Sequence, residues 1–367
     1  MGIATPASTL TQLAATPMVS QPAAAVDYTK RPGWILLEHF GANAPDGSGH
    51  DEAPDGRSLW LIRADGTELH ELAPGLPVDG KTNPVWSRDG THIAFESVYP
   101  RSVVFEADLA GYHAFEVGQH DADCLVEGAA PCFERSPTYS PNADQLATVT
   151  SGWQSAAGDV IYLRSRITDA PGMSCSTVEA AFSCLFHLGF GLDATEVDAS
   201  ARIEGLNWSP DGTRIAYYVV AKDADNKPTG SSELWIIDPT FHAEDPEPHR
   251  IPLPEGLTAG DPDWSPDSSL LVFSSEPIHD WNDVGVPDHP DVYTVRPDGS
   301  DLQRLTHDGG SGSPTWTSDG KILFYSQRAM WLMDADGSNA SPVYPDGPTL
   351  WGEDTGWSYY GYWQPIP

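Results

Sequence analysis

The sequence predicts an all-β protein, a six-bladed β-propeller of four-stranded antiparallel blades with the ring closed by the C-terminal strand. Three observations lead to this prediction. A short turn phrase recurs five times, each copy is followed by an alternating or apolar run, and further runs are joined by Asp-Gly pairs. Period-two runs of β-branched and aromatic residues are typical of strands. An Asp-Gly pair between two such runs predicts a hairpin.

The recurring phrase has the form Trp-Ser-Pro-Asp-Gly, with substitutions at several places. Its copies occupy residues 84–90, 137–143, 206–212, 262–268 and 314–320. In a type I turn, Ser caps the first position, Pro presets φ at the second and Gly tolerates the end. Each copy therefore predicts a hairpin that opens a blade. The Trp residues of the phrase are expected to lie in the core between neighbouring sheets, at Trp86, Trp208, Trp264 and Trp316.

A second hairpin follows the first in several repeats, and two hairpins make a four-stranded antiparallel blade. The five phrases open five blades. Before the first phrase lie three further predicted strands, at 34–40, 59–63 and 68–72. They lack an innermost strand, and the C-terminal run 356–363 is expected to supply it, because Trp357-Ser358 echoes the phrase. This closure gives six blades, and a seventh would have to lie within 166–204.

These residues resemble the TolB-like propeller repeat, a relative of the WD40 repeats that carries Trp-Ser-Pro-Asp-Gly. The resemblance spans roughly residues 30–363 and implies the fold. It does not imply one function, because propellers host many activities. The sequence contains no Gly-x-Ser-x-Gly elbow for a nucleophile and no Gly-rich phosphate loop. No catalytic residue is therefore assigned.

The chain is predicted to divide into a disordered Ala/Thr/Pro-rich tail or linker at 1–29 and the propeller at 30–367. The tail resembles the spacer that follows the lipidated cysteine of bacterial surface lipoproteins, which predicts an export signal and a lipid anchor upstream. Four cysteines form two close pairs, Cys124 with Cys132 and Cys175 with Cys184. They favour two disulfides over free thiols or a metal site, although four cysteines allow three connectivities. An extracellular, cell-surface or periplasmic location is expected.

The charge balance limits the partners. The chain has 19 basic and 53 acidic residues, a formal net charge of −34. Nucleic acid is not expected as a partner, because binding to phosphates depends on Lys and Arg. No segment has the roughly 18–20 apolar residues of a transmembrane helix. A cationic partner or a divalent ion fits this charge, and simple solubility in a salty or acidic habitat is the alternative.

Loop lengths distinguish two faces of the predicted disc. With strands A to D counted outward from the axis, the A–B and C–D turns are mostly tight. Long B–C loops are predicted at 41–57, 221–232 and 276–290, and long D–A loops at 118–135 and 166–204. Long loops on a rigid scaffold commonly carry function. The face with the B–C and D–A loops is therefore the predicted binding face, unless insertions are merely tolerated there.

The rim of the central funnel on that face gives the first set of candidate binding residues. It comprises Asn83, Arg135, Glu204, Asp261, Ser313 and Asp354. Three carboxylates near one axis would raise one another's pKa or hold a divalent cation, with Ca²⁺ favoured over Zn²⁺. The alternative is an ordinary hydrated channel. No cofactor is expected, with Ca²⁺ as the one exception considered.

Loop aromatics and histidines form the second candidate set. It comprises Trp153, His279, Trp281, His289 and Trp351. Aromatic side chains bind sugars and partner proteins. The His- and Asp-rich segment 276–291 has ligand types for a metal, but its spacing matches no known motif, and a solvated polar loop is the alternative.

The function expected from these features is an exported binding module that recognises a protein or glycan at the cell surface through the long-loop face. The alternative is a carbohydrate-active lyase or hydrolase that uses the funnel carboxylates with a divalent cation.

Overall fold

A computed structural model describes the parts of the chain that form the blades. These are residues 34–39, 58–63, 67–71, 80–97, 103–108, 113–116, 133–151, 159–165, 188–192, 201–223, 228–239, 248–275, 290–327, 329–343 and 357–363. Every regular element in these ranges is a β-strand. Within them, no helix is long and apolar enough to span a bilayer.

The described strands form six four-stranded antiparallel sheets. The prediction of an all-β propeller with blades of this kind is confirmed. From the innermost strand outward, the first sheet holds β24 (Trp357–Trp363), β1 (Trp34–His39), β2 (Ser58–Arg63) and β3 (His70–Glu71), and the second holds β4 (Lys81–Trp86), β5 (His92–Ser97), β6 (Val103–Asp108) and β7 (His113–Glu116). The third sheet holds β8 (Phe133–Tyr139), β9 (Gln145–Ser151), β10 (Val160–Ser165) and β11 (Leu188–Leu192), and the fourth holds β12 (Arg202–Trp208), β13 (Ile215–Lys222), β14 (Pro228–Ile237) and β15 (His249–Arg250). The fifth sheet holds β16 (Gly260–Trp264), β17 (Leu271–Ser275), β18 (Asp291–Val295) and β19 (Gln303–Arg304), and the sixth holds β20 (Ser311–Trp316), β21 (Lys321–Ser326), β22 (Ala329–Asp334) and β23 (Ser341–Pro342).

The innermost strands lie side by side around one axis. Strand β4 contacts β8, which contacts β12, and the contacts continue through β16 and β20 to β24. Strand β24 also contacts β4 and pairs antiparallel with β1. The first sheet is therefore built from both ends of the described chain.

The Trp residues of the repeated phrase fill the gaps between sheets, as predicted. Trp86, Trp208, Trp264 and Trp316 are between 3% and 8% exposed. Each lies in an apolar cluster with residues of the preceding sheet; Trp208, for example, packs with Leu163 of β10. Truncating such a side chain typically costs about 3–5 kcal/mol, so these contacts hold the sheets together.

The turn within each phrase is held by its own side chains. In the fourth sheet, the Gly212 amide donates to the Ser209 carbonyl at 2.9 Å. The Ser209 hydroxyl accepts the Arg214 amide at 3.0 Å and donates to Asp211 at 2.6 Å. Equivalent bonds recur at Ser87 and Ser265. These turns have a structural role, at the end of the sheets opposite the predicted binding face.

The prediction that Trp357-Ser358 corresponds to the Trp-Ser of the repeated phrase is wrong in register. Ile35 of β1 pairs with Trp363, just as Ile93 of β5 pairs with Trp86. Trp363 therefore occupies the phrase position, and the Gln and Pro that follow it are the counterpart of Ser-Pro. Two Trp residues six positions apart made the earlier one an equally good match in sequence.

Two predicted loop boundaries are also wrong. Strand β11 lies inside the predicted D–A loop 166–204 and pairs with β10, Ser165 opposite Leu188. Ser165 is also opposite Gln145, the first residue after the A–B turn, so the long connection 166–187 joins C to D at the A–B end. Gly189 and Gly191 weaken the strand pattern there.

The predicted B–C loop 221–232 is largely strand. Strand β13 continues to Lys222, which pairs with Pro228 of β14. Only 223–227 separate the two strands. Pro228 is compatible with this strand because it is the first residue of β14.

Candidate functional site

Each innermost strand of the second to sixth sheets carries a bulge at the same position. The pairing register shifts there in all five strands. The residue at the bulge has a left-handed backbone: φ is 47° at Asn83, 51° at Ser136, 60° at Gly205, 49° at Asp261 and 49° at Ser313. Among residues other than Gly, this conformation is uncommon and is best tolerated by Asn and Asp. Bulges re-aim side chains, and here they do so around the axis.

The predicted rim residues fall on two different positions. Asn83, Asp261 and Ser313 are bulge residues, whereas Arg135 and Glu204 each lie one residue earlier. In the first sheet the register of Trp363 places Tyr360 at the bulge position, in place of the predicted Asp354. Asp354 itself lies outside the described residues.

A buried glutamate of the first sheet holds the bulge of the second. Glu38 on β1 is 2% exposed. Its Oε1 accepts the backbone N–H of Asn83 at 2.6 Å, and its Oε2 accepts the hydroxyl of Thr82 at 2.8 Å. Both carboxylate oxygens are thus used to join two sheets.

Glu96 repeats this arrangement one sheet further on. It lies on β5, and its Oε1 accepts the backbone N–H of Ser136 at 2.6 Å and the side-chain amide of Asn83 at 2.9 Å. Burial raises the pKa of Glu96 to about 7, against the effect of these two hydrogen bonds, and Glu204 raises it further. Glu96 is therefore a titrating group close to neutral pH.

An ionic network joins the third and fourth sheets. The buried guanidinium of Arg135 pairs with Asp159, donates to the Ile203 carbonyl at 3.1 Å and lies 3.5 Å from Glu204 Oε2. Asp159 in turn accepts the Ile203 N–H at 2.8 Å. Glu204 also pairs with Arg202, whose side chain is 49% exposed. Only the Arg202 end of this network faces solvent to that extent.

The bulge residues of the fifth and sixth sheets differ from those of the second and third in the hydrogen bonding of their side chains. Asp261 is partly exposed, and its carboxylate has no hydrogen bond or ion pair with any described residue. Burial raises the pKa of Asp261 to about 6, and repulsion from Glu204 adds to the effect. The hydroxyl of Ser313, at the equivalent position of the next strand, also has no partner among the described residues. We call Asp261 and Ser313 the open sector. The hydrogen-bonded and ion-paired groups of the other sheets, which are Glu38, Glu96, Arg135, Asp159 and Glu204, are called the tied sector.

Among the described carboxylates around the axis, Glu204 raises the pKa of Asp261, and it also raises the pKa of Glu96, which the sequence did not suggest. Glu38, Glu96 and Asp159 were all missed. A signal existed for the first two, because each Glu follows a run of three apolar residues in its strand, at 35–37 and 93–95.

The remaining predicted site residues lie outside the described residues. These are Trp153, His279, Trp281, His289 and Trp351, together with Cys124, Cys132, Cys175 and Cys184. Within the described ranges, no group of three or more His, Cys, Asp or Glu is placed to hold a metal ion. Ca²⁺ binding therefore stays a prediction.

Solved structures with this architecture include TolB. TolB from Acinetobacter baumannii superposes with a TM-score of 0.52 at 14% identity, covering 90% of this chain and 66% of that one. A putative TolB from Agrobacterium tumefaciens gives 0.50 at 18% identity, covering 90% and 99%. The fold is that of the TolB-like propellers. A propeller in a nidogen/laminin complex gives 0.56 at 9% identity, covering 91% and 100%, so the likeness is one of architecture alone.

Sequence comparison adds little to the TolB-like fold. No family model matches the chain. A segment of 133 residues is 27% identical to the uncharacterized peptidase YuxL of Bacillus subtilis (strain 168), covering 36% of this chain and 18% of that protein. The chain thus spans less than a fifth of the length of this relative.

Proposed function

We propose that the chain is an exported binding module, a closed six-bladed propeller that recognises a protein partner through the mouth of its central channel. One observation carries this proposal: the tied sector uses its carboxylates to hold neighbouring sheets together. Glu38 and Glu96 accept backbone amides across sheet boundaries. Groups engaged in this way fix the shape of a surface, and a pre-organised surface loses little entropy when it binds.

Closure of the ring is part of this proposal. The pairing of β24 with β1, together with its contact with β4, supports a ring without a free inner edge. In a closed ring the bulge positions keep fixed spacings around the axis. A partner would then meet a rim of constant geometry.

The charge of the chain supports a basic contact surface on the partner. With a net charge of −34, the propeller would attract a cationic protein over long distances and repel acidic ones. We expect the association rate to fall with added salt. Export is supported by the two close cysteine pairs and by the composition of residues 1–29. A periplasmic or surface location, with or without a lipid anchor, fits both features.

The test uses two matched arginines at opposite ends of the sheets. Arg202, at the mouth, has a 49% exposed side chain and pairs with Glu204. Arg296, at a C–D turn, has a 47% exposed side chain and pairs with Asp301. The immobilised propeller is exposed to fractionated envelope extract, and captured material is identified by mass spectrometry.

We expect Arg202→Ala, which removes the exposed cation that pairs with Glu204 at the mouth, to raise the capture of a basic protein at least threefold, and Arg296→Ala to leave it within twofold of wild type. Equal capture by both variants would contradict the assignment of the mouth. Capture of a glycan alone would transfer the proposal to that ligand class, and turnover of acidic oligosaccharides would favour the lyase or hydrolase alternative.

A further inference from the structure

We infer that the open sector, Asp261 with Ser313, binds a cationic group of the ligand, either a protonated amine or a guanidinium. This inference rests on the proposed function, because it names the chemistry by which the mouth would recognise its partner.

The first argument is the contrast between equivalent positions. The backbone amides at Asn83 and Ser136 are bonded to glutamates of the preceding sheet, and the side chains of both residues are bonded as well. Asp261 and Ser313 occupy the same bulge position, yet their side chains have no partner among the described residues. Asp261 is only partly exposed, and a carboxylate that loses part of its hydration without gaining a hydrogen bond is destabilised. A ligand with hydrogen-bond donors would remove that destabilisation.

The second argument is that the backbone at Asp261 is fixed on the innermost strand. Its φ of 49° is fixed by the bulge, and Pro262, which is buried, follows directly. The ring of Pro262 also packs close to Gly205 of the neighbouring strand, where a Cβ would lie 3.4 Å from Pro262 Cδ. The backbone that carries this carboxylate is therefore held in place on the innermost strand.

The third argument concerns which cation fits. The open sector offers one carboxylate and one hydroxyl, with Glu204 near enough to act on Asp261 electrostatically. An ammonium has three donors and a guanidinium five, so two acceptors suit either group. Ca²⁺ takes six to eight oxygen ligands, more than this sector supplies. In the described ranges no set of three acidic or His ligands is assembled for a metal.

The experiment uses butylammonium and methylguanidinium chlorides as probes, with n-butanol as the uncharged control. Binding to the whole protein is followed by NMR titration at constant ionic strength. The test variant is Asp261→Asn, which keeps the left-handed backbone because Asn tolerates it. The matched control is Asp298→Asn, an exposed turn residue of the same sheet that loses the same charge.

We expect saturable binding of at least one cation to wild type, at least tenfold weaker binding to Asp261→Asn, and a change of less than twofold in Asp298→Asn. Equal binding to both variants, or no saturable binding of either cation to wild type, would overturn the inference. A blank titration together with protein capture that rises in Arg202→Ala would remove the inference and leave the proposed function. Saturable binding that requires Asp261, without capture of any protein, would support the inference and remove the proposed function.

Discussion

The Oε1 atom of Glu96 lies 2.6 Å from the backbone nitrogen of Ser136, and this bond joins the second sheet to the third at the bulge of β8. The same oxygen accepts the side-chain amide of Asn83, 2.9 Å away. One buried oxygen atom thus binds two of the residues that surround the axis.

The first prediction concerns pH and Glu96. Its folded-state pKa of about 7 lies above the usual 4.5, so its protonated form favours the folded state. This contribution is complete below pH 4.5 and is lost as pH rises through 7. Glu96→Gln keeps the accepting oxygen without the charge, and we expect it to stabilise the protein at pH 8 by up to about 3 kcal/mol, with little effect at pH 4.5. Urea unfolding at both pH values measures this, and parallel pH profiles for the two proteins would contradict it.

The second prediction concerns Glu38. Glu38→Ala removes the carboxylate that accepts hydrogen bonds from the Asn83 amide and the Thr82 hydroxyl, and a hydrogen bond to a charged group contributes about 1.5–3 kcal/mol. Glu38→Gln retains one accepting oxygen and should lose roughly half as much. Thermal unfolding of both variants gives the comparison. Equal losses would show that packing, not the two acceptor bonds, accounts for the effect.

The third prediction separates stability from binding at Asp261. Its folded-state pKa of about 6 lies above the usual 3.8, so its stabilising contribution is present below pH 3.8 and is lost as pH rises through 6. Asp261→Asn should therefore raise stability at pH 7.5 by on the order of 2 kcal/mol. Chemical unfolding at pH 7.5 and pH 4 tests this, since the gain should vanish at the lower pH. Groups that destabilise the folded state in this way are common at binding sites.

The fourth prediction compares two glycines of similar backbone. Gly299 has φ +83° and Gly320 has φ +78°. A Cβ at Gly299 would lie 2.3 Å from Pro252 Cγ, whereas nothing lies within 4 Å of a Cβ at Gly320. Both Ala substitutions should cost about 1–2 kcal/mol for the left-handed backbone. Gly299→Ala should cost roughly 1–3 kcal/mol more because of the overlap. Melting temperatures of the two variants decide this, and equal losses would be evidence against it.

The strands and the sheet-to-sheet core could be predicted from the sequence because both depend on local patterns. The turn at Ser209 and the burial of Trp208 follow from a phrase that can be read over seven residues. The pairing of the C-terminal run with the first sheet was expected as well, but its register was not, since Trp357 and Trp363 fit the phrase equally well in the absence of pairing information.

The polar joints of the channel could not be predicted in the same way. Glu38 accepts a hydrogen bond from Asn83, 45 residues later, and Arg135 of the third sheet forms an ion pair with Glu204 of the fourth. Such contacts depend on where the bulges direct the backbone, and the bulge is a property of a strand pair, not of one strand. The rim prediction consequently mixed two adjacent positions, those of Arg135 and Ser136.

The mixed origin of the first sheet has a consequence for biosynthesis. A ribosome releases Trp34–His39 well before Trp357–Trp363, yet these segments are hydrogen-bonded neighbours. Until the final strand emerges, the edge of β1 has no innermost partner, and an unpaired edge invites association with other chains. Completion of the first sheet is therefore a late event, because it has to wait for the synthesis of Trp357–Trp363.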